Sequence, residues 1–363
     1  MGASGLYERV HGGLLGMAVG DALGGPVEGL SFEQIRAQHG RVDRMLPYQK
    51  PPSEHAQFAN DPGSYTDDTR LALIYCEAIL RAEGSPARGD LARVLSDYHH
   101  THTLELERSF IEEYYLKGLY GGRKLIYGGQ ATNGALMAIA PVGLLHPADP
   151  KSAFALAYEL SFVTDGYAKE SAAMAAAAVA EAMRPGADAE QVVQVSLETA
   201  AWFRREGLLW PKTVREREWA RFEGRPNEVL IGIALEAARA TEDVFALPEL
   251  LYPRLLVSPV GSEAGQTLAV AFAMLIASRG DFRLAVQGAV NYGRDCDSYA
   301  AVAGAVAGAM HGAQAIPGEW GGAVLEANPT PDLRQVSADL CAVVVRQHLE
   351  RQATVHAVQQ LLP

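Results

Sequence analysis

Apolar residues recur at helical spacing along nearly the whole of this chain, while alternating Val/Ile/Thr-rich runs that would read as strands are scarce. That pattern predicts an all-α fold. In Leu71, Ile74, Tyr75 and Ala78 the i, i+3, i+4, i+7 spacing gives one apolar stripe. Comparable segments predict helices at about Tyr7 to Ala22, Leu91 to His100, Leu104 to Leu119, Asn133 to Leu145, Ser152 to Phe162, Ala168 to Met183 and Ala189 to Arg205. Others are expected at about Asn227 to Ala240, Glu263 to Ser278, Phe282 to Tyr292, Ser298 to Ala313 and Pro331 to Arg351. Small residues tighten the packing. The stretch Ala168 to Ala182 is so rich in Ala that it needs close neighbours, and Gly304, Gly308 and Gly312, with Ala301, Ala305 and Ala309, repeat every four residues along one helix face. Glycine inside a helix costs about 1 kcal/mol against Ala, so another helix must approach closely enough to offset it.

No linker-like or low-complexity stretch divides the 363 residues, and the 48% of hydrophobic residues can bury a large core, so a single helical domain over 1–363 is expected. The formal net charge of -12 argues against a nucleic-acid or anionic-membrane partner, because either needs a positive field. The longest apolar run, Leu268 to Ala277, is about half of the roughly 20 residues that a membrane span requires. Cys76, Cys296 and Cys341 have no CxxC spacing, and the start, Met1 to Arg9, has no signal-peptide pattern. A reduced, cytoplasmic setting is expected.

Two acidic clusters stand far apart. Thr66-Asp67-Asp68-Thr69 precedes the stripe that begins at Leu71, with Thr66 a good N-cap and the two acids in the first turn, where the helix dipole favours negative charge. Asp295 and Asp297 lie two apart after Gly293, so in an extended turn both carboxylates can face one side, Cys296 the other, with Ser298 capping the next helix. An EF-hand is excluded, since Tyr299 and Ala300 occupy positions that need an oxygen ligand and a glycine. If the clusters converge, their oxygens suit hard divalent cations such as Mg²⁺ or Mn²⁺. A third piece, Gly13 to Glu28, is an apolar, Gly-spaced helix ending in Asp21, followed by Gly24-Gly25-Pro26 and a loop that presents Glu28. Taken alone, Asp21 reads as a helix-end polar group and Glu28 as a surface acid.

Other conspicuous residues read as structural. His99, His100 and His102 lack nearby acid or Cys support for a metal. Cys296 lies between two acids that disfavour its thiolate. Gly261-Ser262-Glu263 reads as a helix cap. Trp202, Trp210 and Trp219, among Arg204, Arg205, Arg215, Arg217 and Arg221, form the most basic stretch, either a lid or a solvated face.

Together, Gly16 to Glu28, Thr66-Asp67-Asp68-Thr69 and Gly-Arg-Asp-Cys-Asp-Ser onward from Gly293 to Gly312 resemble the ADP-ribosylglycohydrolase family, of the dinitrogenase-reductase-activating glycohydrolase type. Ala315-Ile316-Pro317 and Trp320 extend the likeness, and Asn133-Gly134-Ala135 is similar to the family's ligand-binding stretch. The resemblance implies an orthogonal, all-α multi-helix bundle with two divalent cations, Mg²⁺ or Mn²⁺, in a central cleft. It implies Thr66, Asp67, Asp68, Asp295, Asp297 and Ser298 as metal ligands, and Glu28 as acid/base or distal ribose contact, with Asp68 and Asp295 completing the catalytic set. Asp21, Asn133, Gly134, Ala135 and Gly293 would bind substrate.

On that reading, vicinal ribose hydroxyls meet the cations, and a carboxylate moves the proton as an N- or O-glycosidic bond breaks through an oxocarbenium-like state. The expected substrate is an ADP-ribosylated protein or a small ribosyl compound. Two departures bear on it. The Met-Arg that commonly follows Asn-Gly-Ala is replaced here by Leu136-Met137-Ala138, and a common Thr-His pair by Thr164-Asp165. A smaller nucleoside or ribosyl conjugate is therefore one alternative substrate. A non-catalytic ligand-binding relative is the other reading, because a fold does not dictate function.

Overall fold

The structure is a computed structural model that describes residues 5–47, 61–101, 132–164, 166–207, 226–241, 243–255 and 262–361. Fifteen α-helices lie among them: α1 (Gly5–Gly24), α2 (Phe32–His39), α3 (Asp67–Arg81), α4 (Arg88–Thr101), α5 (Ala140–Leu144), α6 (Pro150–Leu160), α7 (Tyr167–Ala182) and α8 (Ala189–Arg205). The chain continues with α9 (Pro226–Ala240), α10 (Leu247–Leu255), α11 (Ala264–Ala277), α12 (Phe282–Tyr292), α13 (Cys296–His311), α14 (Gly318–Ala327) and α15 (Leu333–Gln359). The only β pairing among the described residues is two isolated bridges, Ser31 with Gly293 and Thr132 with Glu263. The all-α expectation holds, and no described helix is long and apolar enough to cross a membrane.

The centre of the fold is the antiparallel pair α1 and α13, whose small residues face each other at intervals of four. A Cβ placed on Gly12 would sit 2.3 Å from the Gly308 carbonyl oxygen, one on Gly16 2.4 Å from that of Gly304, and one on Gly20 2.1 Å from that of Ala300. At the end of the row, a Cβ on Gly24 would meet the Asp297 Cα at 2.4 Å. The helices touch backbone to backbone, which no larger residue permits. Ridge positions at i and i+4 are what bring such rows together. The close neighbour that the Gly304–Gly312 repeat demands is thus α1, and α13 is buried along its whole length from Cys296 to Met310. The Ala-rich α7 is enclosed in the same way.

Some segments differ from expectation for local reasons. Instead of one helix from Asn133 to Leu145 there is a 3-10 turn, Leu136–Ala138, and then the short α5 with Pro141 in its first turn. Proline lacks an N–H and disfavours a helical residue before it, so the helix restarts there. The unexpected α2 is set by a capping box: the Ser31 hydroxyl accepts from the Gln34 N–H while the Gln34 side chain accepts from the Ser31 N–H. Gly-rich α14 and Pro253-containing α10 were masked by their composition. The segment expected from Leu104 to Leu119 and the residues Trp210, Arg215, Arg217, Trp219 and Arg221 lie outside the described residues, as do Asp165, His102 and the side chains of His99 and His100.

Candidate metal and catalytic site

The small-residue contact carries the end of α1 to the start of α13, and Asp21, one turn before the end of α1, reaches a third element. Its carboxylate is fully buried and accepts four hydrogen bonds: the Thr66 N–H at 2.9 Å and hydroxyl at 2.7 Å on one oxygen, and the Thr69 N–H at 3.0 Å and hydroxyl at 2.6 Å on the other. Thr66 is the N-cap residue of α3, as expected, but its hydroxyl makes no capping bond. Asp21 does that work from another helix. Asp21, expected as a substrate contact, has both oxygens occupied by Thr66 and Thr69 in this structure and braces the turn that carries Asp67 and Asp68.

Glu28 follows the 3-10 turn Gly25–Val27 and is half-buried. Its loop is stitched to the segment before α13, with the Gly29 N–H donating to the Arg294 carbonyl and the Arg294 N–H to the Leu30 carbonyl, each at 2.6 Å. Gly293 makes this possible. It has φ +80°, and a Cβ there would lie 2.5 Å from the Leu30 oxygen, so the close backbone approach requires glycine.

Asp295 is the N-cap residue of α13, which starts at Cys296 and not at Ser298. Asp297 and Ser298 therefore lie in the first helical turn, and Cys296 faces away, its thiol 3.5 Å from the Gly24 carbonyl oxygen. One carboxylate oxygen from each of Glu28, Asp295 and Asp297 falls within 4.8 Å of the others. Ser298 is buried and touches Met137, which places the Asn133-Gly134-Ala135 stretch and its following turn alongside. Asn133, Gly134 and Ala135 are all buried. The Asn133 amide donates to Asp295 Oδ2 at 2.5 Å and to Thr267 Oγ1 at 3.0 Å.

The two clusters feel each other electrostatically. Burial, then the charges of Asp21, Asp67 and Asp295, hold the Asp68 carboxyl well above the usual carboxylate range. Burial followed by Glu28 does the same to Asp297, and raises Asp295 to about 7 against a donated hydrogen bond from Asn133. Asp68 Oδ1 is buried without a hydrogen-bond partner among the described residues. A carboxylate oxygen in that position has desolvation to recover and nothing in the described chain to recover it with, which is the condition a cation relieves. The donor set is oxygen only, so it fits Mg²⁺ or Mn²⁺.

Glu263 and Thr267 stand behind the site and have no counterpart among the expected site residues. Glu263 caps α11 through the N–H groups of Gly265 at 3.0 Å and Gln266 at 2.6 Å, and accepts from the Tyr167 hydroxyl. Its capping role was legible. Its pairing with Thr132 across the β bridge was not.

Comparison with known proteins gives the family to which this fold and constellation belong. Residues 3–351 match the family described as ADP-ribosylglycohydrolase. The chain belongs to the ADP-ribosylglycohydrolase family, whose activity is glycoside hydrolysis. Among its relatives are the uncharacterized protein YegU of Escherichia coli, 27% identical over 85% of this chain and 89% of that one, and an uncharacterized protein of Archaeoglobus fulgidus, 27% identical over 87% and 91%. ADP-ribosyl-[dinitrogen reductase] glycohydrolase of Rhodospirillum rubrum is 29% identical over 40% of this chain and 48% of its own. A solved ADP-ribosylglycohydrolase-related protein complex superposes with a TM-score of 0.59 at 26% identity, over 93% of this chain and 99% of that one.

Proposed function

We propose that this chain is a cytoplasmic, single-domain hydrolase that uses two divalent cations, Mg²⁺ or Mn²⁺, to cleave the glycosidic bond between ADP-ribose and a protein side chain or small molecule. The observation that carries this reading is the meeting of Thr66-Asp67-Asp68 with Asp295-Asp297-Ser298 around a buried carboxylate oxygen of Asp68 that has no partner among the described residues. Those six residues would hold the cations. When bound, the cations supply Lewis acidity that draws charge from ribose hydroxyls and makes water more acidic.

The chain itself orients and moves protons. Glu28 is half-buried at the rim, within reach of both the acidic floor and solvent, so it can take a proton from the attacking water or give one to the leaving group. Water adds to the anomeric carbon as the bond to the leaving nitrogen or oxygen breaks, and the leaving atom takes a proton. Kept ionised by bound cations, Asp68 and Asp295 would set negative charge against the oxocarbenium character that develops.

A smaller nucleoside or ribosyl conjugate is the second reading, favoured by Ala138, fully buried in the turn after Asn133-Gly134-Ala135, where a cation for phosphate is expected. The test is to incubate the protein with ADP-ribosylated arginine, ADP-ribosylated serine and free nucleosides, with and without Mg²⁺ or Mn²⁺, beside Asp67→Ala and Asp297→Ala. Cation-dependent release from an ADP-ribosylated compound, lost in both variants, is expected. Release from nucleosides alone selects the second reading, and no release from any compound overturns both.

A further inference from the structure

Asn133 sits in the stretch expected to bind substrate, yet both protons of its amide nitrogen are committed inside the protein, one to Asp295 Oδ2 and one to Thr267 Oγ1. The orientation of that amide is settled by chemistry on the far side. Thr267 has one hydroxyl proton, and it goes to the Glu263 carbonyl at 3.0 Å, so toward Asn133 the hydroxyl can only accept. Asp295 also accepts in the ionised form that would hold a cation. With two acceptors in front of it, the amide must present its NH₂ group and not its oxygen.

The backbone of Asn133 is fixed by the same element. Its N–H donates to the Ser262 carbonyl at 2.8 Å, and the neighbouring Thr132 pairs with Glu263, whose carboxylate caps α11 and accepts from Tyr167. The start of α11 is therefore a rail that sets the position of Asn133, and through it one oxygen of Asp295. Thr267 is fully buried, and its hydroxyl bonds to Asn133 and to the Glu263 carbonyl.

We propose that Asn133 is a positioning residue that aims the Asp295 carboxylate, and that Thr267 is the group that aims Asn133. The inference rests on the reading that Asp295 helps hold a divalent cation. A ligand held by an outer hydrogen bond loses affinity when that bond is removed, by about 10- to 100-fold in typical metal sites.

The experiment is a double-mutant cycle read by Mn²⁺ binding, using the electron paramagnetic resonance signal of free Mn²⁺, with folding checked by thermal unfolding. Asn133→Ala should weaken Mn²⁺ binding by about 10- to 100-fold. Thr267→Val keeps the branched shape, removes the acceptor, and should weaken it about three- to tenfold, the worth of one neutral hydrogen bond. In the Asn133→Ala background the same Thr267→Val change should have no further effect, and Thr267→Ser should bind as the parent does. Should Thr267→Val fail to fold, Thr267→Ser against Thr267→Ala poses the same question.

Unchanged binding in Thr267→Val, or an effect of Thr267→Val that persists in the Asn133→Ala background, would overturn the assignment while leaving the cation site intact. A parent protein that binds no Mn²⁺ would sink the cation site and this inference together.

Discussion

Asp21 and Thr69 are joined twice: one carboxylate oxygen accepts both the backbone N–H and the hydroxyl of a residue 48 positions further along the chain. The other oxygen does the same for Thr66. Capping a helix with a residue of its own satisfies one or two of the free N–H groups of the first turn. Here a different helix supplies the cap, so the start of α3 can form only against α1, and the acids of its first turn are delivered to the site by the same contact.

Asp21→Ala should therefore be costly beyond its size. It leaves two buried N–H groups and two hydroxyls to find new partners, each exposed to a penalty of about 1–3 kcal/mol. Urea unfolding should show a loss of at least about 3 kcal/mol. Asp21→Asn, which keeps the shape but turns an NH₂ group toward donors, should recover only part of it. A loss below about 1 kcal/mol in Asp21→Ala would show that α3 is anchored by something else.

The α1–α13 contact gives a second prediction with a control built into the same protein. In Gly20→Ala the new methyl would lie 2.1 Å from the Ala300 carbonyl oxygen and 2.3 Å from its carbon, both backbone atoms that cannot swing aside. The helices must part, and overpacking of this kind costs about 1–3 kcal/mol or more. Asp297 rides on the displaced helix, so Mn²⁺ binding should weaken as well. Gly322→Ala, in α14 with nothing within 4 Å, should be neutral or stabilising by up to about 1 kcal/mol. Equal unfolding midpoints for the two variants would refute the close-contact account.

How much of this was legible beforehand follows from which interactions are local. Helix periodicity is a local property, and the bounds of Ala189–Arg205 and Phe282–Tyr292 were legible from it. The Gly304–Gly308–Gly312 repeat announces that some helix comes close, but only the fold says that the partner is the row from Gly12 to Gly24. The acid motifs were visible as motifs. The brace made by Asp21 was not, because a carboxylate that caps a distant helix has the same local sequence as one that faces solvent. Thr267, and the second role of Glu263 beyond its cap, were invisible for a related reason: their importance lies in a contact with Asn133 and Thr132, more than a hundred residues away.

His146 lies in the turn between α5 and α6, where burial lowers its pKa to about 4 and neither ring nitrogen has a hydrogen-bond partner among the described residues. In the unfolded chain the value returns to about 6.5. A histidine whose folded pKa is depressed contributes stability that is present above about 6.5 and is lost as the pH falls toward 4. His146→Leu should remove that part of the acid sensitivity, on the order of 3 kcal/mol across the window. The measurement is the difference in urea midpoint between parent and variant at pH 7 and pH 4.5. A difference that does not change with pH would mean that the ring is solvated or paired in solution.

Asp295 works in the opposite sense. Burial first, and then the charge of Glu28, raise its pKa from 3.8 to about 7, so the folded protein favours the protonated acid. The stability linked to this group is fully present below about pH 4 and is lost as the pH rises through about 7. In protein stripped with a chelator, the urea midpoint should therefore fall between pH 5 and pH 8 by more than it does in Asp295→Asn, where the group cannot ionise. Saturating Mn²⁺ should reverse the trend in the parent, because a cation binds the ionised carboxylates and is stabilising by mass action. Asp295→Asn should show little of that gain. Two results would count against this account of the acidic floor: a chelated parent whose stability relative to Asp295→Asn rises with pH over this window, or an equal gain from Mn²⁺ in both proteins.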